Sequence, residues 1–267
     1  MSRSKRASFG AVTATLCAGA LLGGLTGCVA DGASAADGGT ADLDAAEISD
    51  RARKALTGAD SVHLTLEEKG TDADADDRSP RAMDLTLDRD GNCAGSAEMG
   101  GDAGSFEIVK QGEKVWLKPD APFWKAQTKG ADGSAAAELF KNRWISGTTE
   151  DPVLEGLSDV CDLGELQDRA VTGDSDASGG AKDLAKGDVG TVDGEKAIPL
   201  TSTEHGRDKT LYVATEGKPY PLKATEQGDG TDRTITFTGY DEPVPTKTPA
   251  PADTVDIAKL RRHLQRT

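Results

Sequence analysis

The stretch Ser61-Val-His-Leu-Thr-Leu66 carries the pattern from which the fold can be inferred. Its apolar residues, Val62, Leu64 and Leu66, alternate with polar ones. Alternate side chains of a β-strand point to opposite faces, so this stretch predicts a strand with one buried face. The same alternation returns over residues 83–87. The sequence therefore predicts two half-buried strands that share one apolar face.

An amphipathic helix is predicted directly before the first strand. Apolar residues recur at helical spacing from Ile48 to Ala59. Asp44 is placed to cap the N-terminus, and Gly58 follows the last turn. The period of the apolar pattern thus changes from that of a helix to that of a strand within a few residues.

Further strands are predicted on both sides of a helical middle region. Hairpin turns are expected at Asp90-Gly91-Asn92 and at Gly112. The later strand patterns cover residues 93–97, 104–111, 113–118, 196–202, 209–214, 221–226 and 233–240. Between them, apolar spacing predicts one helix over 134–147 and a second over about 151–169 that carries Cys161. This order predicts an α+β protein.

The first 28 residues have the features of an export signal. Basic residues at positions 3, 5 and 6 precede an apolar run over 9–22 that is too short to span a membrane. Leu25-Thr26-Gly27-Cys28 then matches a bacterial lipobox. Resemblance to lipoprotein precursors implies cleavage before Cys28, a diacylglycerol anchor on its sulfur, and a location at the outer face of the cytoplasmic membrane. An ordinary secretory signal with a chance cysteine is the alternative.

The composition divides the chain into four predicted parts. Residues 1–27 form the signal peptide, and 28–43 form a flexible tether because its Ala, Gly, Asp and Ser residues have little to bury. Residues 44–242 form the folded domain. Prolines then predict an extended exit within 243–267, which ends in a short helix from Asp253.

The chain is strongly acidic, with a formal net charge of −15. Nucleic-acid binding requires a basic face, and the only adjacent pair of arginines in the expected mature chain is Arg261-Arg262. We therefore expect no nucleic-acid partner, whereas the identity of any protein partner stays open.

Two cysteines, Cys93 and Cys161, remain once Cys17 is removed with the signal and Cys28 is lipidated. An even pair of cysteines in an exported domain predicts a disulfide. Two buried free thiols are the alternative interpretation.

Catalytic signatures are missing from the sequence. The three histidines, His63, His205 and His263, lie outside any pattern typical of nucleophilic catalysis. Asp88-Arg-Asp-Gly-Asn92 resembles the start of a calcium loop, but Cys93 stands where glycine is required. We expect a protein that is not an enzyme and that binds no metal or cofactor.

Aromatic residues concentrate in one part of an aromatic-poor chain, since all three tryptophans fall within residues 116–144. One interpretation is the core where helices meet the sheet. The other is the mouth of a cavity that holds an acyl chain, because ligand pockets are mostly apolar. The candidate lining residues are Trp116, Phe123, Trp124, Leu139, Phe140 and Trp144.

The order of elements resembles that of the LolA/LppX-like family of bacterial lipoproteins. The likeness is carried by the helix that leads into Ser61-Val-His-Leu-Thr-Leu66, the hairpin 106–118 followed by Phe123-Trp124-Lys125, and the pair 210–213 and 220–224. The resemblance implies a curved antiparallel half-barrel whose concave face is covered by helices, with an apolar cavity between them.

Members of that family bind or carry acyl chains, so the resemblance implies a non-enzymatic lipoprotein that binds a lipid or another amphiphile. A structural or signalling lipoprotein that presents a surface to a protein partner, without a ligand cavity, is the alternative. A bond between Cys93 and Cys161 would then join the sheet to a covering helix.

Overall fold

The computed structural model of the chain describes residues 39–70, 80–101, 103–127, 131–151, 154, 156, 159–172 and 184–264. They belong to a compact unit that spans residues 38–267. The hydrophobic core formed by the described residues lies inside this unit, so we expect it to fold on its own. The predicted signal peptide, Cys28 and the tether as far as residue 38 lie outside the described residues.

The described strands form one curved, open and mostly antiparallel sheet of thirteen strands. They are β1 Ser61–Gly70, β2 Pro80–Asp88, β3 Cys93–Met99, β4 Ser105–Gln111, β5 Lys114–Pro119, β6 Trp144–Thr148, β7 Ala185–Lys186, β8 Gly190–Val192, β9 Glu195–Glu204, β10 Arg207–Ala214, β11 Pro221–Gly228, β12 Thr231–Thr238 and β13 Thr254–Asp256. Their order is β13-β6-β5-β4-β3-β2-β1-β12-β11-β10-β9-β7, with β8 also paired to β9. The pairing of β1 with β12 therefore joins the early strands to the late ones.

The register of the sheet separates an apolar face from a polar one. Leu64 lies opposite Leu85 on β2 and opposite Phe237 on β12, and all three are buried. The intervening positions His63 and Thr65 point to the other side. We call the apolar face the inner face and the polar one the outer face. The predicted alternation over 61–66 and 83–87 is confirmed.

The described helices are α1 Ala45–Thr57, α2 Ala121–Gln127, α3 Ala131–Leu139, α4 Leu163–Thr172 and α5 Ile257–Leu264. The first four pack against the inner face, which is the arrangement that the resemblance implied. Asp44 caps α1 by accepting a hydrogen bond from the backbone N–H of Glu47 (2.8 Å). Ile48 and Ala52 of α1 are fully buried against Ile198 and neighbouring residues of β9 and β10.

The predicted helix over 134–147 is wrong in its second half. Helix α3 ends at Leu139, and the chain resumes as β6 from Trp144. Asn142 has a positive φ of 57°, which ends the helical path. Ile145 and Ser146 then pair with β5. The strand forms because β5 offers its edge as a pairing partner. The sequence around Trp144 does not reveal that this edge lies nearby.

The predicted helix over about 151–169 is interrupted within the described residues, and its C-terminal part is confirmed as α4. A short 3-10 helix, Asp159–Cys161, precedes α4. Asp162 separates the two and accepts a hydrogen bond from the backbone N–H of Glu165 (2.9 Å), so it caps the new helix. Gly164 lies in the first turn of α4, within the helix.

Both ends of the described domain attach to the sheet. A 3-10 helix, Thr40–Asp42, lies within the predicted tether, where Lys186 Nζ donates to the carbonyl oxygens of Ala41 (3.1 Å) and Leu43 (2.7 Å). At the other end, the proline-rich segment leads from central β12 to β13 at the edge. Gln111 Nε2 donates to the carbonyl oxygen of Thr246 within it (2.7 Å). The final helix begins at residue 257, later than predicted, because residues 254–256 pair in parallel with β6.

Candidate ligand groove

An apolar groove of about 390 Å³ lies on the inner face, between the sheet and the segment that contains α4. Its floor comes from β1 and β2, and its opposite wall comes from residues 160–166. The lining residues are Leu64, Pro80, Met83, Leu85, Leu87, Val160, Asp162, Glu165 and Leu166. Ligand pockets span roughly 300–1,000 Å³, so the groove is large enough for a small apolar ligand.

A disulfide between Cys93 and Cys161 ties this wall to the sheet. The two Cα atoms are 5.5 Å apart, and both residues are fully buried in the core. The predicted disulfide is confirmed, although Cys161 ends the 3-10 helix before α4 rather than lying on an α-helix. Gln167 on α4 adds a second attachment, because its side-chain amide donates to the carbonyl oxygens of Leu56 and Ala59 (3.0 Å each).

The apolar part of the inner face ends at a row of charged residues. The last apolar row contains Leu211, Ala224, Ile235, Leu66 and Met83 on five adjacent strands. Two residues further along these strands lie Lys209 on β10, Glu226 on β11, Arg233 on β12 and Glu68 on β1. The inner face therefore changes from apolar to ionic within two residues along the strands.

The carboxylates of this row are paired with arginines, as enclosed charges must be. Glu226 is only 2% exposed, and its Oε1 accepts a hydrogen bond from Arg207 Nη1 at 3.0 Å. Arg233 Nη2 lies 2.8 Å from Glu68 Oε2. Sequence reasoning missed this row. Its only signal in the sequence is that charged residues occupy strand positions that point inward. Which positions point inward depends on the register, which the sequence does not give.

Three of the predicted lining aromatics come together at the inner face. Trp124 stacks on Phe140 with ring centroids 5.2 Å apart, and Phe123 meets Phe106 edge to face at 5.5 Å. The indole N–H of Trp124 is buried without a hydrogen-bond acceptor among the described residues. These rings pack on one another, so they form part of the core beside the groove rather than its described lining.

The other three predicted lining residues lie elsewhere. Val115 and Leu117 point into the inner core, so Trp116 between them points to the outer face. Trp144 contacts Lys118, whose Nζ lies 5.7 Å from its ring centroid. Leu139 is 61% exposed at the end of α3. The structure therefore does not gather the six residues around one space, and a ligand role for any of them stays a prediction.

A larger depression of about 590 Å³ crosses the outer face. It runs over five strands, where the aligned outward residues are Thr65, Asp84, Ser96, Glu107 and Lys118. Lys118 and Glu107 form an ion pair there (2.8 Å). Apolar residues such as Leu66, Met83 and Phe106, together with Ala137 of α3, also border this depression. Its charged lining residues are Glu67, Asp84, Glu98, Glu107, Lys118, Asp120 and Lys141, whereas those described for the inner groove are Asp162 and Glu165. We therefore take the less charged inner groove as the candidate ligand site.

The described residues contain neither a membrane-spanning helix nor a cluster of metal ligands. None of the helices there is long and apolar enough to cross a membrane. In the same part of the chain, no cluster of three or more histidine, cysteine, aspartate or glutamate residues is arranged to hold a metal ion. His63 lies on the outer face, where its ring contacts Thr238 Oγ1 (3.0 Å) and Asp84 Oδ1 (2.8 Å).

Comparison with known proteins gives matches to solved structures only. No family model matches the chain, and no curated protein matches it. LprF from Mycobacterium bovis matches with a TM-score of 0.52 and 15% identity, over 77% of this chain and 97% of that one. The lipoprotein LppX from Mycobacterium tuberculosis has a TM-score of 0.44 and 15% identity, over 76% and 97%. A LolA superfamily protein from Nitrosomonas europaea has a TM-score of 0.23 and 11% identity, over 80% and 98%.

The likeness to LprF extends over nearly the whole of that structure. At 15% identity it is evidence about the fold alone. The chain therefore has a LolA/LppX-like fold.

Proposed function

We propose that this protein is a membrane-anchored, extracytoplasmic lipoprotein that binds a lipid or another amphiphile in the inner groove and catalyses no reaction. The observation that carries the proposal is the groove itself. Its floor is built from apolar side chains, and Val160 and Leu166 share the opposite wall with Asp162 and Glu165. The groove lies where the helices meet the concave face of the sheet. An aliphatic groove stabilises an acyl chain by removing it from water, at about 0.8 kcal/mol per methylene group.

The size of the groove limits the ligand. At about 390 Å³ it lies near the lower end of the range for ligand pockets, roughly 300–1,000 Å³. A single acyl chain suits this space better than a lipid with two or three chains. We therefore expect single-chain amphiphiles, or one chain of a larger lipid, to occupy it.

The lipobox supports the proposed location. Two acyl chains on Cys28 provide stable anchoring, whereas one chain binds a membrane only marginally. A domain held at the outer face of the cytoplasmic membrane has a source of amphiphiles beside it.

Native mass spectrometry of residues 38–267 tests whether the groove binds lipid. We expect co-purifying lipid adducts and uptake of a fluorescent fatty acid. Leu166→Trp places a large ring in the groove and should weaken uptake by about tenfold or more, because the ring occupies the space of the acyl chain. Leu139→Trp is the matched control, since Leu139 is exposed and does not line the groove.

A bare mass together with no fatty-acid uptake would contradict the proposal. That result would favour the second candidate, a structural or signalling lipoprotein that presents its surface to a protein partner. The observation that favours this candidate is the packing of Phe123, Trp124 and Phe140 on one another, because these rings fill their part of the inner face themselves.

A further inference from the structure

We propose that the turn between α3 and β6, Leu139-Phe-Lys-Asn-Arg-Trp144, binds the surface of a bilayer that contains anionic phospholipids. This contact goes beyond the function proposed above, because it involves neither the groove nor the lipid on Cys28. The proposal is drawn from an exposed leucine, from two exposed cations and from the charge of the neighbouring segment of the chain.

Leu139 is the most exposed large apolar residue in the described ranges, at 61%. It ends α3, and the next residue, Phe140, packs on Trp124 with ring centroids 5.2 Å apart. Phe140 thus holds this end of the helix on the core, while Leu139 faces solvent. A leucine held in this way can enter the headgroup region of a bilayer without any change in the fold.

Two cations, Lys141 and Arg143, follow Leu139 in the turn, and both are exposed. Arg143 Nη2 donates a long hydrogen bond to the carbonyl oxygen of Ala252 (3.4 Å). Glu138 precedes the turn, yet within the described ranges no carboxylate lies in ion-pair distance of Lys141 or Arg143. Both cations are therefore available to the phosphates of a lipid surface.

The aromatic ring that ends the turn has the character of an interfacial residue. Trp144 is partly exposed, and Lys118 Nζ lies 5.7 Å from its ring centroid. Tryptophan is enriched where proteins meet the membrane interface, because its ring is apolar and its N–H is polar. Leu139 and Trp144 therefore stand at the two ends of the turn, with the two cations between them.

The neighbouring segment of the chain is basic, although the whole chain has a formal net charge of −15. Strand β13 pairs with β6 beside the turn, and α5 follows β13 and contacts β6. Residues 243–264 contain four Lys or Arg residues and two aspartates, of which Asp256 lies 3.8 Å from Lys259. Charges more than about 8 Å away are largely screened at physiological salt, so carboxylates elsewhere on the domain do not prevent this edge from approaching an anionic surface.

A bilayer with anionic headgroups fits these features together, since it offers phosphates to the cations and an acyl boundary to Leu139 and Trp144. A soluble polyanion would satisfy the cations alone. The anchor proposed on Cys28 would keep the domain close to the bilayer, so that even a weak contact would be populated.

Vesicle flotation of residues 38–267 tests the proposal without the anchor. The vesicles consist of phosphatidylcholine alone, or of phosphatidylcholine with phosphatidylglycerol as the anionic component. We expect the domain to bind the anionic vesicles at least about fivefold more tightly, and to dissociate from them as the salt concentration rises. Equal binding to both kinds of vesicle, or binding to neither, would overturn the proposal.

Lys141→Gln/Arg143→Gln should weaken binding to the anionic vesicles by about tenfold or more, since one cation near such a surface contributes about fivefold. Lys69→Gln/Lys196→Gln is the matched control, because it removes two exposed lysines of β1 and β9 and changes the net charge equally. An equal loss in both double variants would reject the turn as the contact. The choice of the unmodified domain between the two kinds of vesicle decides even if a variant does not fold.

A polarity-sensitive fluorophore on Leu139→Cys measures whether this position enters the interface. Val189→Cys is the matched control, because Val189 is an exposed apolar residue (48%) between β7 and β8. We expect anionic vesicles to shift the emission to shorter wavelength at position 139 and to leave it unchanged at position 189. A shift at both positions, or at 189 alone, would reject the proposed orientation.

These measurements are separate from the test of the groove. A domain that binds anionic vesicles through the turn but takes up no fatty acid keeps this inference and rejects the groove function. A domain that takes up fatty acid but does not distinguish the vesicles keeps the groove function and rejects this inference.

Discussion

Asp241 shows how one carboxylate holds three connections of the chain together. It accepts hydrogen bonds from the backbone N–H of Asp60 (2.9 Å), from Lys218 Nζ (2.9 Å) and from the hydroxyl of Tyr220 (2.8 Å). These partners lie between α1 and β1 and between β10 and β11, while Asp241 itself follows β12. The contacts lower the pKa of Asp241 from its ordinary value of 3.8 to about 2, with the backbone N–H of Asp60 as the largest cause.

We predict that Asp241→Asn destabilises the domain at neutral pH and reduces its sensitivity to acid. The pKa of Asp241 is lower in the folded state, so the carboxylate stabilises the fold above about pH 4, and this contribution is lost as the pH falls toward about 2. The site is close to solvent, so the expected decrease in melting temperature at pH 7 is only about 3 °C. The difference between variant and parent should shrink at pH 2.5.

Thermal melts at pH 7, 4 and 2.5 measure this effect. Asp90→Asn in the turn after β2 serves as the control for removal of an exposed acidic group. An unchanged difference between Asp241→Asn and its parent across these three pH values would mean that protonation of Asp241 does not contribute to acid unfolding.

At the scale of elements, the wall of the groove consists of the 3-10 helix Asp159–Cys161 and α4, and its attachments limit how far the groove can open. The 3-10 helix and α4 are attached at one point by the Cys93–Cys161 bond and at another by Gln167, which donates to Leu56 at the end of α1 and to Ala59 in the turn between α1 and β1. The groove lies between this segment and the sheet. Any movement that widens the groove must therefore hinge at these attachments.

We predict that the double variant Cys93→Ala/Cys161→Ala melts about 10 °C lower than the parent, since a disulfide of this kind contributes roughly 2–4 kcal/mol. A fluorescent fatty acid should also enter the groove faster, because the wall is released from β3. The two effects are separable by a thermal melt and by stopped-flow binding. Two free thiols in the denatured, non-reduced protein would show that the bond does not form in solution.

The arrangement of β6 and β13 at one edge of the sheet is also decided at the scale of elements. Residues 144–148 have apolar residues that also fit a helical face, yet they pair with β5 on one side and with the short parallel strand β13 on the other. In a helix, the backbone groups of residues 144–148 would bond to one another. In the sheet, β5 and β13 supply the hydrogen-bond partners instead. The late strand β13 thereby covers part of an edge that would otherwise stay open to other chains.

At the scale of the whole molecule, Cys28 is the proposed attachment site of the membrane anchor. We predict that Cys28→Ser releases the protein from the membrane or leaves it as an uncleaved precursor, because serine has no sulfur to form the proposed thioether to diacylglycerol. Cell fractionation and metabolic labelling with a fatty-acid analogue are the measurements. Label that persists in Cys28→Ser would mean that another residue carries the lipid.

Much of the fold could be predicted because its signals are local. The caps of α1, the alternation in β1 and β2 and the turn at Asp90-Gly91-Asn92 each depend on residues close together in the chain. The disulfide followed from counting the cysteines. The predicted fold class was confirmed, because this order of helices and strands resembles a known family whose fold the chain has.

The sequence by itself determined the elements whose stability is local and the class of fold that they build. The tertiary structure decided the groove, the strand at Trp144 and the charged row from Lys209 to Glu68. Each of these depends on which strands become neighbours and in which register. A pairing such as Leu64 with Phe237 joins residues far apart in the chain. A shift of one residue in that register would turn the inward charges outward, so only the assembled sheet determines what the groove presents to a ligand.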